Sequence, residues 1–189
     1  MKRILRYIKG TIDLGIHLMA CSSLTLHAFS DADWAGCLDD HRSTTDYCIF
    51  IGPNFVSWSC KKQPTMTRSS AEVEYHALAC TAVEVTWLHS LLHKLQVSTQ
   101  DPCLLYCDNV SATCIAANPV FHVRTKHIEM DYHFIRDLIT TGALKVQFVC
   151  TDNQTADIFK KGLASSRFSL LRNKLMVHSL PISLQETIK

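Results

Sequence analysis

No stretch of this chain approaches the roughly 18 uninterrupted apolar residues that a membrane-spanning helix requires. The opening run from Met1 to Gly10 is basic, but it lacks the apolar segment and small-residue cleavage site of a secretory signal. The nine cysteines are scattered, odd in number and without a C-x-x-C pair, which argues against a disulfide framework and for free thiols in a reducing compartment. Most are expected as small core residues. An excess of charge of one sign is missing too. The formal net charge is +2 and the pI about 8.1, so the total does not mark a strongly basic nucleic-acid binder, although clustering is invisible to a total. There is no internal repeat and no low-complexity segment. What remains is the composition of a soluble intracellular globular protein. At 189 residues, 47% hydrophobic and 19% charged, it can bury one good core.

The pattern of periodicities predicts a mixed α/β domain. Residues 3–8 form a short basic helix ended by Lys9-Gly10-Thr11, and residues 1–23 read as an appendage. A strand over 24–30 follows, closed by an acidic turn. Residues 45–51 and 55–59 are rich in β-branched and aromatic types around Gly52-Pro53-Asn54, which predicts a hairpin. The period then becomes helical from Ser69 to Leu95, with Ser69 and Glu72 in capping-box spacing. A fourth strand over 104–107, a short helix over 110–117, a helix over 126–140 and a fifth strand over 144–149 complete the core. Helical segments over 157–161 and 165–177 close the main domain, 24–177, and 178–189 form a tail. The order βββαβααβα implies five strands in a mixed sheet, three antiparallel and then parallel ones, with flanking helices.

Four short acidic motifs stand at the edges of apolar segments: Ser30-Asp31-Ala32-Asp33-Trp34-Ala35-Gly36, Ser69-Ser70-Ala71-Glu72-Val73-Glu74-Tyr75, Tyr106-Cys107-Asp108-Asn109 and Ala156-Asp157-Ile158. A lone carboxylate there is costly to desolvate, so a shared cation is expected. At 100° per residue, Glu74 lies within the stripe of Leu78, Val85, Leu88, Leu92 and Leu95, while Glu72 points almost the opposite way and serves the cap. Asp31 and Asp108 each end an apolar strand, and they meet if those strands are parallel neighbours. Taken singly, each acid also reads as a turn, cap or first-turn residue, and Glu74 as a glutamate paired with a base. Their coincidence is the signal. Two carboxylates at about 4 Å repel by about 4 kcal/mol at an effective dielectric of 20. An all-oxygen cage suits Mg²⁺ or Mn²⁺ rather than zinc, and two such ions about 4 Å apart activate water and stabilise a leaving oxygen in phosphodiester cleavage. Metal-assisted hydrolysis of nucleic acid is the reaction so inferred.

At these residues a resemblance becomes specific. Together with Val56-Ser57-Trp58-Ser59-Cys60-Lys61-Lys62-Gln63-Pro64, Arg124-Thr125-Lys126-His127-Ile128 and Gln154-Thr155-Ala156-Asp157-Ile158, the motifs resemble the ribonuclease H domain of copia-type LTR retrotransposon polyproteins. Residues 2–11 resemble the segment that joins reverse transcriptase to that domain. The resemblance implies a ribonuclease H fold and cleavage of the RNA strand of an RNA/DNA hybrid, leaving 3′-hydroxyl and 5′-phosphate ends. It places the catalytic, metal-binding acids on Asp31, Glu74, Asp108 and Asp157, with two Mg²⁺ (or Mn²⁺) ions. Asp152 competes for the fourth place but precedes the motif and is expected in a loop, and Asp33 is expected beside the site. Arg42, Lys61, Lys62, Arg68, Asn109, Lys126 and His127 are the candidates for holding nucleic acid, with 2′-hydroxyl contacts selecting RNA. The implied partners are the hybrid and the reverse transcriptase domain of the same polyprotein, with no membrane. The implied location is cytoplasmic, in a virus-like particle, with the nucleus as the alternative.

Two departures stand out. Asp46 replaces a usual Gly and is expected to strain its strand or turn, and Lys160 replaces a usual Thr and is expected to pair with Asp157 or compete with a metal. Polymerase, integrase and protease motifs are absent. A zinc site is the first rival, through His89 and His93 at i, i+4, but no H-E-x-x-H arrangement and no second pair accompany them. A Cys-His nucleophile lacks a marked cysteine. The rival from another class is a catalytically silent remnant that binds hybrid or polymerase through its basic N-terminal segment.

Overall fold

The computed structural model describes residues 2–20, 24–37, 39–64, 66–67, 69–97, 99, 101–118, 128–160 and 162–179. Arg68, Lys126, His127, Lys161 and residues 180–189 of the expected tail lie outside the described residues. In chain order the elements are α1 (Lys2–Thr11), β1 (Leu14–Ile16), β2 (Leu26–Asp33), β3 (Thr44–Ile51), β4 (Asn54–Lys62), α2 (Ser70–Lys94), β5 (Cys103–Cys107), α3 (Val110–Ala117), α4 (Glu129–Thr140) and β6 (Leu144–Phe148). Two 3₁₀ segments follow, Thr151–Asn153 and Thr155–Phe159, then α5 (Ser165–Lys174) and β7 (Val177–Ser179).

The main sheet has five strands in the order β4-β3-β2-β5-β6. β2, β3 and β4 pair antiparallel, and β2–β5 and β5–β6 pair parallel, the mixed arrangement of a ribonuclease H-like fold. The β3–β4 hairpin closes at Gly52, whose φ of 55° suits a residue without a Cβ. Alternation along β2 sends Leu26 and Ala28 to the face covered by α2, where they join Ile49, Leu78, Val85 and Leu105 in the larger core cluster. Phe29 faces the other way, towards Cys48, Phe50, Phe55, Ala156 and Leu175. α2 buries Glu74, Leu78, Val85 and Leu88 along one side, as its stripe predicts, while Leu95 at its end is exposed.

Several boundaries differ from expectation for local reasons. The first strand of the sheet continues to Asp33 because Ser30–Asp33 pair with Thr44–Tyr47 of β3, so Asp31 lies inside a strand rather than beyond its end. The expected 165–177 helix stops at Lys174, and Met176 at φ 56° turns the chain into β7. β7 pairs antiparallel with β1, a two-stranded ribbon with no counterpart in the expected elements. The segment expected as a helix over 157–161 is the 3₁₀ turn Thr155–Phe159. Among the described residues no helix is long and apolar enough to cross a membrane. α1 buries none of its residues, leaving Ile4, Leu5, Tyr7 and Ile8 exposed.

Candidate active site

A split in the sheet creates the site. β2 pairs with β5 only as far as Phe29 and Tyr106, and beyond that point β2 stays with β3 while β5 ends at Cys107. The Ser30 carbonyl, released from the β5 ladder, accepts a hydrogen bond from Gln154 Nε2 at 2.9 Å. The same fully buried amide lies 3.5 Å from Asp108 Oδ1, and its Oε1 accepts from the Ala156 N–H, so one side chain ties β2, β5 and the 3₁₀ turn together. Such a buried amide must satisfy its own donors and acceptor, which fixes the spacing of the strands it bridges.

Each acid is delivered by a different element. Asp31, only 1% exposed, comes from β2, and Oδ1 accepts the Ala32 N–H at 2.7 Å. Glu74, 8% exposed, comes from the second turn of α2, whose N-cap is Ser69 with Oγ accepting from the Glu72 N–H. Asp108 follows β5. Capping of α3 falls to Asn109, whose Oδ1 accepts from the Ala112 N–H at 2.9 Å, so Asp108 keeps its carboxylate for the cleft, where Thr151 Oγ1 donates to Oδ2 at 3.0 Å. Asp157 sits in the 3₁₀ turn and takes Arg167 Nη2 of α5 at 3.1 Å. Arg167 also donates to the carbonyls of Thr151 and Asp152, holding that loop against α5.

Asp31 lies within electrostatic reach of Asp108 and Asp157, and Glu74 within reach of Asp31 and Asp108. Burial pushes Asp31 up to about 7; Lys160 opposes that rise, and Asp108 and Asp157 add to it. Burial pushes Glu74 up to about 8, with Asp31 and Asp108 reinforcing the rise and Lys160 and the Ala32 N–H opposing it. Glu74, Cys107 and Asp108 bring one donor atom each within 4.8 Å of one another, and the Cys107 thiol reaches Glu74 Oε2 at 4.0 Å. No histidine belongs to this group. His89 and His93 lie exposed on α2 and gather no further metal donor among the described residues, so the zinc alternative has no site there.

Lys160 does more than the expected pairing with Asp157. Its ammonium contacts Asp31 Oδ2 as well as Asp157 Oδ1, the latter at 3.5 Å. Asp46 does not strain the backbone as expected. It sits in regular register opposite Asp31, and its φ is not positive. Its cost is electrostatic: the side chain is fully buried, neither oxygen meets an N–H or O–H donor, and burial raises its pKa. The Cys60 thiol directly across on β4 is the weak donor beside it. Asp152 is 98% exposed and lies in the loop, as expected, and Glu72 is half-buried at the helix start.

Of the candidates for holding nucleic acid, Arg42, Lys61, Lys62 and Asn109 are among the described residues. Arg42 and Lys62 both pair with Asp40, at 3.5 and 3.3 Å, and Lys61 lines a separate cavity of about 350 Å³ with His76, Cys80 and Glu84. Asn109 is the α3 cap beside Asp108. Cys107, Thr151, Gln154 and Arg167 escaped prediction. Gln154 carried one signal, a polar residue inside a quoted motif, whereas the reach of Arg167 depends on how α5 docks. One further constellation is visible only in three dimensions: His76 Nδ1 meets Asp131 Oδ2 of α4 at 2.7 Å and its Nε2 lies 3.5 Å from Cys80 Sγ. The Asp131 hydrogen bond pushes His76 up to about 10, so it ties α2 to α4 as an ion pair.

No family model matches the chain. Relatives do. The chain is 48% identical over 183 residues to the Pol polyprotein from transposon RE2 of Arabidopsis thaliana, a match covering 97% of the chain and 13% of the polyprotein. It is 34% identical over 179 residues to the Pol polyprotein from transposon TNT 1-94 of Nicotiana tabacum, covering 95% and 13%. The chain is a copia-type retrotransposon Pol segment. This Pol segment spans 12–13% of the length of the retrotransposon polyproteins it matches. Its fold is that of ribonuclease H. LC11-RNase H1, isolated from compost, superposes with a TM-score of 0.53 at 14% identity, covering 71% of the segment and 91% of that protein. RNase H1 from the archaeon Halobacterium salinarum superposes with a TM-score of 0.52 at 13% identity, covering 71% and 93%. LC11-RNase H1 has also been solved in complex with an RNA/DNA hybrid.

Proposed function

We propose that this Pol segment is a metal-dependent endonuclease that hydrolyses the RNA strand of RNA/DNA hybrids, as the ribonuclease H part of a retrotransposon reverse transcriptase. What supports the reading is that Glu74 and Asp108 bring donor atoms together where β2 and β5 separate, with Asp31 in electrostatic reach of Asp108 and Asp157. Burial of the Asp31 and Glu74 carboxyls raises their proton affinity and so favours a cation beside them. The donor set of Glu74 and Asp108 fits Mg²⁺ or Mn²⁺, with Cys107 as a soft neighbour, and those two acids would hold such an ion. When bound, the ion supplies an activated water and neutralises charge on the scissile phosphate.

The chain's own residues set the stage for that chemistry. Gln154 and Thr151 orient Asp108 through both of its oxygens, and the Ser69 cap holds the first turns of α2 so that Glu74 enters the cleft. Arg167 and Lys160 neutralise Asp157 and Asp31. Arg42, Lys61, Lys62 and Asn109 are proposed to engage phosphates and sugars, with Arg68, Lys126 and His127, and 2′-hydroxyl contacts to select RNA. The test is incubation of a strand-labelled RNA/DNA hybrid with Mg²⁺ and the wild-type protein or Asp108→Asn. Cleavage confined to the RNA strand and lost in the variant supports the reading, and equal cleavage by both refutes it.

A second reading draws on α1, whose Ile4, Leu5, Tyr7 and Ile8 form an apolar side that is exposed among the described residues. On that reading the segment is a silent remnant that docks on a reverse transcriptase domain through α1. Hybrid binding without cleavage, in the same assay, distinguishes it.

A further inference from the structure

Lysine is almost never buried unless its charge is met, and Lys160 has a side chain only 11% exposed. Its ammonium has three N–H donors and faces three oxygens: Asp31 Oδ2, Asp157 Oδ1 at 3.5 Å and the Ala32 carbonyl at 3.4 Å. Two acids and a main-chain carbonyl are the ligand types of a hard divalent cation. They lie on the β2 and 3₁₀-turn side of the cleft, while Glu74, Cys107 and Asp108 lie on the α2 and β5 side.

We propose that the Lys160 ammonium occupies the place of one divalent ion, so that this chain takes up a single Mg²⁺ or Mn²⁺, on Glu74 and Asp108. The inference rests on the metal-dependent reading above and narrows it. Charge balance favours it. Asp31, Glu74, Asp108 and Asp157 carry four formal negative charges, and Lys160, Arg167 and one divalent ion match them. A second ion leaves a surplus of two positive charges beside the Lys160 ammonium, whose side chain is 11% exposed. Arg167 strengthens the case from the far side: it takes Asp157 Oδ2 while Lys160 takes Oδ1, so both oxygens of that carboxylate already face cations. The Glu74–Asp108 pair makes its hydrogen bonds with neutral groups instead, the Cys107 thiol, the Thr151 hydroxyl and the Gln154 amide.

The experiment counts ions. Mn²⁺ is titrated into the wild-type protein, Lys160→Thr, Lys160→Arg and Asp108→Asn, and free Mn²⁺ is read by electron paramagnetic resonance. One ion per wild-type chain, one per Lys160→Arg and two per Lys160→Thr is the expected result. Two ions per wild-type chain overturn the proposal, and so does a Lys160→Thr chain that stays at one. Reductive methylation of wild-type protein keeps the test independent of how the variants fold: Lys160 stays protected whether or not Mn²⁺ is present, and exposure of Lys160 on adding Mn²⁺ overturns the proposal. A single ion that persists in Asp108→Asn counts instead against the assignment of Glu74 and Asp108 as its holders, which is a failure of the parent reading.

Discussion

Glu74→Gln is expected to stabilise the metal-free protein. The variant keeps the shape of the side chain and removes a charge that burial and two neighbouring acids oppose. Raising a carboxyl from 4.5 to about 8 corresponds to a ceiling of about 5 kcal/mol, at ~1.4 kcal/mol per pH unit. The amide retains the burial and must satisfy its own N–H groups, so a net gain of about 2 kcal/mol is expected. The sign follows from linkage. A carboxyl whose proton affinity rises on folding carries no penalty below its unfolded value, because both states are protonated. Wild-type stability then falls as pH rises from about 4.5 towards about 8 and levels off above. Urea unfolding in EDTA should therefore show the variant gaining on the wild type as pH rises, from a deficit near pH 4, where the wild-type carboxyl is neutral in both states, to the net gain near pH 9. Saturating Mg²⁺ should reverse the order, adding about 2.7 kcal/mol to the wild type at a hundredfold excess over its Kd and much less to the variant. A gap that is independent of pH, or a variant less stable near pH 9, would refute the reasoning.

Asp46→Ala is expected to raise stability at neutral pH by about 1–2 kcal/mol, because it deletes a fully buried carboxyl with no N–H or O–H donor at either oxygen; thermal unfolding at acid and neutral pH checks that the gain vanishes in acid. Ser69→Ala removes the N-cap acceptor of α2, bonded to the Glu72 N–H at 3.4 Å. A loss of about 0.5–1 kcal/mol is expected, with faster hydrogen exchange confined to the first turns that carry Glu74.

The sheet was legible because its strands obey simple alternation and its turns carry Gly52-Pro53-Asn54 and Asn109. α2 was the clearest case: a cap at Ser69 and an apolar stripe placed Glu74 inward, and the structure buries it there. The sequence lets Asp31 and Asp108 meet if β2 and β5 are parallel neighbours, and those strands do pair in parallel. What could not be read was anything that depends on how far a side chain reaches across the fold. Lys160 was seen as a partner for Asp157, three residues away, but its contact with Asp31 lies well over a hundred residues back in the chain. Arg167 looked like any helix-surface base until α5 docked beside the 3₁₀ turn. The β1–β7 ribbon was invisible for a related reason, since strands of three residues carry too few alternations to register against a helical pattern. Asp46 was noticed, yet its effect was misassigned to the backbone because register alone decides whether a strand residue faces water or another acid.

The most direct measurement is anomalous diffraction from crystals of the protein soaked in Mn²⁺, collected at the manganese edge. A peak bridging the Glu74 and Asp108 carboxylates, displaced by Asp108→Asn, is the predicted result. Well-ordered carboxylates with no manganese between them, in crystals that bind the ion elsewhere, would contradict the claim that these acids form a metal site.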